Sequence, residues 1–137
     1  MDVKLSTAVR QAMAVAFIAE LDADTNPAYL EFYTGTKPAG PGTAVTDQVL
    51  LGTATCSATS ATATAGVVTF NGITQDAAAD ASGTVTWARA HDGAGVPHTD
   101  YDVTNSAGDG AIKVNTTTIV AGGPIAVTSF TVTMPGA

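Results

Sequence analysis

Basic residues are scarce in this chain. Five of them (Lys4, Arg10, Lys37, Arg89 and Lys113) stand against twelve Asp and Glu, for a formal net charge of -7. The five are scattered, whereas nucleic acids and anionic membranes are held by clustered Lys and Arg. Neither is an expected partner. Cysteine is almost missing: Cys56 is alone, so no intrachain disulfide forms and the fold needs no oxidising compartment. Its reading is a small apolar filler rather than a nucleophile. Long apolar runs are lacking too. "AMAVAFIA" (12–19) follows Lys4 and Arg10 in the manner of a signal peptide, but it is short, Arg10 lies close against it, and "ELDAD" offers no small-residue cleavage site. No other run is long enough to span a bilayer. The expectation is a chain made in the cytoplasm.

Charge of either sign is low, at 12%, while 45% of residues are apolar, a balance that excludes wholesale disorder. What is abundant is Ala, Thr, Gly and Val. Branching at Cβ stiffens Thr and Val and suits a pleated surface. A chain of 137 residues can bury one core. It is read as a single domain over 1–137, with a helix at about 6–21 and a β-rich part over 28–135.

The helix is "STAVRQAMAVAFIAEL" (6–21), with Ser6 as its cap. Leu5, Val9, Met13, Phe17 and Leu21 recur every four residues and predict a buried stripe, with Arg10, Gln11 and Glu20 away from it. Asn26-Pro27 stops continuation. The period then falls to two. In "AYLEFYTG" (28–35), Ala28, Leu30 and Phe32 alternate with Tyr29, Glu31 and Tyr33, a half-buried strand. "TKPAGPG" (36–42) is a loop by its prolines and glycines. Strands are expected at 48–55 and 66–72. The low-complexity "SATSATATA" (57–65) between them, with its alternating small residues, fits a thin edge strand or a mobile surface loop, of which the loop is preferred, and 76–83 is read as a connection. Residues 84–91 and 96–104 flank "DGAG", a hairpin signal. "AIKVNTTTIV" (111–120) leads through Gly122-Gly123-Pro124 into a last strand, where Ile125 and Val127 share one parity and Phe130, Val132 and Met134 the other. That switch near Thr128-Ser129 implies a β-bulge, or a strand that changes the face it buries. Six to eight short strands with one N-terminal helix predict a mainly β fold, a β-sandwich or jelly-roll-like domain.

The residues richest in chemistry are "HDGAGVPHTDYDV" (91–103), with both histidines. A four-residue loop Asp92–Gly95 would set Arg89 opposite His98 and Trp87 opposite Asp100. His91 would share a face with Arg89 and Trp87. Two histidines and a carboxylate are zinc-ligand types. Arg89 would stand beside that metal, however, and no third strong ligand is fixed by spacing. Turn formation and pairing with Arg89 account for the aspartates, so the stretch reads as a polar, solvent-facing hairpin. "DADTN" (22–26) opens like a calcium loop, but Pro27 and Tyr33 hold the positions that need Gly and a bidentate Glu. "NTT" (115–117) fits a glycosylation acceptor and has no meaning without secretion. Gly35, Gly40 and Gly42 do not follow a phosphate-loop pattern. No G-x-S-x-G occurs, and no Ser or Cys has a base placed by spacing. No catalytic, cofactor-binding or metal residue is assigned, and an enzyme is not expected.

The ends carry a resemblance. "KLSTAVRQAMAVAFIAEL" followed by "AYLEFYTGTKPAGPG" resembles the start of small structural proteins of tailed bacteriophages, where an L-S-T-A-V-R-N-A helix leads to a strand ending T-G-x-x-P. "NTTTIVAGGPIAVTSFTVTMPGA" is similar to their ending, a T-x-I-x-x-G turn feeding V-T-S-F-T-x-T. "ASGTVTWARAHDGAG" is similar to their A-S-G-T stretch and D-x-A-G hairpin. Ala88 and Ala90 stand where the resemblance leads one to expect larger apolar residues, and "SATSATATA" has no counterpart. The resemblance implies a virion structural protein, foremost a capsid decoration (cement) protein. Its partners would be the major capsid protein and copies of itself, commonly as a trimer, and its station the capsid surface. A tail or head–tail component is the alternative within the virion. A carbohydrate-binding β-sandwich is the alternative outside it, with Trp87, Tyr101, Tyr29 and Tyr33 as a stacking platform.

Overall fold

The computed structural model describes residues 1–137 as one helix and ten strands. Helix α1 (Thr7–Leu21) begins where the sequence places it, with Ser6 Oγ accepting from Val9 N–H at 3.2 Å. Strand β1 (Tyr29–Tyr33) follows, then β2 (Leu50–Thr55), β3 (Ala61–Thr64), β4 (Val67–Phe70), β5 (Gly83–Thr84), β6 (Trp87–His91), β7 (Pro97–Thr104), β8 (Ile112–Val114), β9 (Thr118–Ile119) and β10 (Val127–Thr133). The fold is mainly β, as expected. Eight strands form one mixed sheet in the order β2-β1-β6-β7-β8-β10-β4-β3, and β5 pairs with β9 apart from it. All pairings in the large sheet are antiparallel except β7 with β8.

The sheet curls so that its two halves share one core, which makes the domain sandwich-like. Leu30, Phe32, Leu51, Ala54, Ala88 and Ala90 from one half meet Ile112, Val114, Phe130 and Ile125 from the other. Phe70 and Phe130 stack with centroids 3.7 Å apart, and Tyr101 meets Phe130 edge-on. Ala88 and Ala90 are fully buried. Small side chains there leave room for the larger residues of the facing half.

Four expectations need correction. The stripe on α1 is rotated: Val9 is exposed, while Ala14 and Leu21 are buried and Met13, Phe17 and Ile18 pack beneath them. Arg10 and Gln11 are therefore contact residues. Gln11 Nε2 donates to Ala63 O at 3.1 Å, and its Oε1 accepts from Gly66 N–H at 3.0 Å. The "SATSATATA" segment is not all loop: β3 pairs with β4 from Ala61↔Phe70 to Thr64↔Val67. Its two-residue turn has positive φ at Ala65 (52°) and Gly66 (82°), the arrangement a right-twisted hairpin favours. The strands number more than eight, because 84–91 and 111–120 each break into two short pieces. The hairpin correction belongs with the site below. The bulge expected near Thr128 is present, between Val127 and Ser129.

Both edges of the sheet are engaged, at β3 by a side chain and at β2 by a side chain and by backbone. At β3 the Gln11 amide does this. At β2, Asp76 Oδ2 accepts from Thr53 N–H at 2.8 Å, and Thr55 exchanges backbone bonds with Thr74. Gly52 is needed there, since a Cβ at that position would collide with the Asp76 carboxylate and Ile125. Blocked edges resist strand-to-strand aggregation.

Candidate functional site

The polar residues singled out in the sequence gather on the outer face of β1, β6 and β7. Tyr29, Glu31 and Tyr33 lie opposite His91, Arg89 and Trp87, and Arg89 and Trp87 lie opposite Asp100 and Asp102. Alternation puts all of these on one side of the sheet. The register differs from the one expected. The hairpin turn runs through Val96, so His91 faces Pro97, and a shift between Ala90 and His91 leaves His98 as an extra residue. These two changes move Arg89 from His98 to Asp100.

Arg89 is the centre of this layer. Its Nε and Nη2 donate to the Asp100 carboxylate at 2.7 and 2.9 Å, and Nη2 also reaches Gly40 O at 3.1 Å. Its guanidinium carbon stands 5.4 Å from the centre of the Trp87 ring. The hydrogen bonds to Asp100 push its pKa up against the opposing effect of burial. Trp87 stacks on Tyr33 at 4.6 Å and donates to Thr34 O at 3.0 Å. Tyr33 in turn donates to Glu31, and burial followed by that bond raises its pKa above the usual tyrosine range. The loop after β1 is thus strapped down through Thr34, Gly35 and Gly40, with Thr86 Oγ1 donating to Gly35 O. Strand β6 is buried on both faces from Trp87 to His91. The expected solvent-facing hairpin is therefore covered along β6, where this loop folds over it, while its turn at Ala94–Val96 stays exposed.

The two histidines do not converge. His98 Nε2 meets Asp92 Oδ2 at 3.0 Å, while Asp92 Oδ1 accepts from the N–H groups of Ala94 and Val96. These hydrogen bonds, the His98 one first, hold the Asp92 carboxyl below its usual pKa. His91 stacks on Tyr29 at 4.8 Å, and burial lowers its pKa. No group of three His, Cys, Asp or Glu side chains is close enough to hold a metal ion. Asp22, Asp24 and Asn26 do not form a cation loop either: Asp22 accepts from Ser60 N–H and Asp24 from Asn26 N–H. Cys56 is buried, and burial ahead of the nearby Asp22 charge pushes its thiol up to about 12. Such a thiol is protonated at neutral pH and a poor nucleophile.

Arg89, Asp100, Trp87, Tyr33 and Asp92 are thus satisfied by other parts of the fold, whereas the buried Nδ1 of His91 has no hydrogen-bond partner. The rings considered as a stacking platform are occupied as well: Trp87 has no exposed surface, and Tyr33 and Tyr101 are buried. Sequence spacing missed Gly40 and Thr34 as partners of this layer, since a carbonyl partner leaves no mark in residue type. Fold and site together define a small β domain whose buried ionic and aromatic layer fastens a loop. No protein-family model, curated protein or solved structure matches the chain. No helix is long and apolar enough to cross a membrane.

Proposed function

We propose that the protein is a non-enzymatic structural component of a tailed-phage virion, foremost a capsid decoration protein. It would be made in the host cytoplasm and stationed on the capsid surface, bridging neighbouring copies of the major capsid protein. The observation that carries this reading is the resemblance at the two ends of the chain, joined to how those ends pack. Leu5 N–H donates to Gly136 O at 2.7 Å, and Ala14 of α1 shares a cluster with Met134. The first and last of the segments that resemble phage proteins thus pack together. A polar layer spent on holding a loop also suits a scaffold, since buried ion pairs fix geometry more than they supply chemistry. With net charge -7, the free protein stays dispersed until a complementary surface is met.

The test is to heat phage heads assembled with and without this protein. A cement favours the assembled shell by binding it and not its parts, so bare heads are expected to open at lower temperature and to withstand less dilution of salt. Equal resistance would refute the cementing role. Copy number per particle distinguishes the tail or head–tail reading: hundreds are expected for a decorator, and a few would move the protein to that station.

A further inference from the structure

A strand position in the large sheet is only partly filled. In sheet order β8 separates β7 from β10, yet it meets β7 only at Val103↔Ile112 and Thr104↔Lys113. Strand β10 pairs with β8 from Val127 to Phe130 and then runs on beside β4 through Thr133. Strands that flank one missing neighbour lie about 10 Å apart, twice the strand spacing. A cavity of about 450 Å³ occupies that place. Its walls include His98–Tyr101 of β7 and Val132–Pro135 at the end of β10, with Phe17 and the loop Lys37–Pro41 completing the lining.

Backbone parity tells what the walls offer. Val103 N–H donates to Thr86 O, so Tyr101 and Val103 turn their backbone groups to β6, and Asp100 turns its own toward the cavity. On the opposite wall Met134 N–H donates to Gly66 O, so Val132 faces β4 and Thr133 faces the cavity. Thr131, of the same parity as Thr133, already reaches Ala111 O on that side at 3.4 Å. The Tyr101 hydroxyl and Thr99 Oγ1 are buried neighbours, and neither completes a well-aligned hydrogen bond.

The same chain carries a segment of matching character. Met1–Lys4 belongs to no helix or strand, and Met1 and Val3 are exposed. Met1, Val3 and Leu5 alternate with Asp2 and Lys4, the pattern of a half-buried strand. The segment leaves the fold at Leu5, beside Gly136 and next to the cavity rim at Pro135. Lys4 Nζ reaches Ala137 O at 3.3 Å, and none of residues 1–5 lines the cavity, so the segment does not fill the cavity of its own chain. We propose that the slot between β7 and β10 takes the Met1–Lys4 segment of a second copy as an added strand, so that copies associate by exchanging N-terminal segments. Main-chain hydrogen bonds would hold it, and Val3 would enter beside Phe17 and Met134.

The proposal concerns the free protein, so absence from phage heads would leave it standing. Two paired-cysteine variants test it, Asp2→Cys with Thr133→Cys and Lys4→Cys with Thr133→Cys, since the residues flanking Val3 would lie on the exposed face that Thr133 shares; Cys56 is buried and does not compete. On oxidation, at least one pair is expected to give covalently linked dimers or larger species. Light scattering of the unmodified protein should give a multiple of the chain mass, and a variant lacking residues 1–4 should fall to the monomer mass with an unchanged circular dichroism spectrum. Disulfides confined within single chains, free thiols in both variants, or a mass unaffected by the deletion would overturn it.

Discussion

Arg89 is a cation with almost no access to water in a chain that has few cations. Its side chain and that of Asp100 are 6% and 5% exposed, so the pair's worth lies in mutual dependence. Removing one partner strands the other, a loss of about 3–5 kcal/mol. Asp100→Asn is therefore expected to lower stability by that order in urea unfolding, whereas Asp102→Asn, whose partner Lys37 is exposed, should cost about 1 kcal/mol or less. A similar loss from both variants would mean that the buried pair has no special weight. His91 gives a pH dependence. Burial depresses its folded pKa below the usual histidine value of 6.5, so the folded state prefers the neutral ring. The stability it contributes is complete above pH 6.5 and is lost as pH falls through 6.5 toward the lower folded value. Urea midpoints should decline between about pH 7 and pH 5, and His91→Phe, which keeps an aromatic ring against Tyr29, should flatten that decline. A slope unchanged in the variant would place the titrating group elsewhere. The sequence made the need for a carboxylate near Arg89 legible. It did not tell which one, because the longer turn and the bulge residue together decide the partner.

Elements show the same division between pattern and partner. The period-two alternation over 28–33 and the parity switch near Thr128 were both readable, since each follows from which side chains are apolar. The β3 edge strand was only half readable: the alternation of Ala and Thr admits an edge strand, but their small hydrophobic contrast fits a low-complexity loop as well. What makes it a strand is the Ala65-Gly66 turn and the Gln11 side chain lying along it. Both can be tested. Ala65 sits at φ 52°, a left-handed conformation that costs a residue with a Cβ about 1–2 kcal/mol. Ala65→Gly or Ala65→Asn should therefore raise stability by roughly 1 kcal/mol, with Asn favoured by its known tolerance of such turns. Gln11→Ala should lower it by about 1–3 kcal/mol, since Gly66 N–H then loses its acceptor in a buried position. If the alanine variant were neutral, the helix would be held on β3 and β4 by apolar packing alone.

At the scale of the whole molecule, the core and the covered outer layer are two separate bodies of contacts that meet in β6. That strand turns Ala88 and Ala90 into the core and Trp87, Arg89 and His91 into the layer. Neither body can open without disturbing the other, because each side of β6 is fixed by the residues between. Trp87 is the only tryptophan and is fully buried, so its fluorescence reports on the layer, while far-ultraviolet circular dichroism reports on the sheet. The two signals are expected to change in one coincident urea transition, the mark of two-state unfolding. Amides of β6 should also exchange with solvent more slowly than those of the small β5–β9 pair, which lies outside the large sheet. A fluorescence transition preceding the dichroism change would show that the loop Thr34–Gly42 lifts from an intact sheet. The layer would then be a detachable cover, and the buried Arg89–Asp100 pair would contribute to loop geometry rather than to the cohesion of the fold.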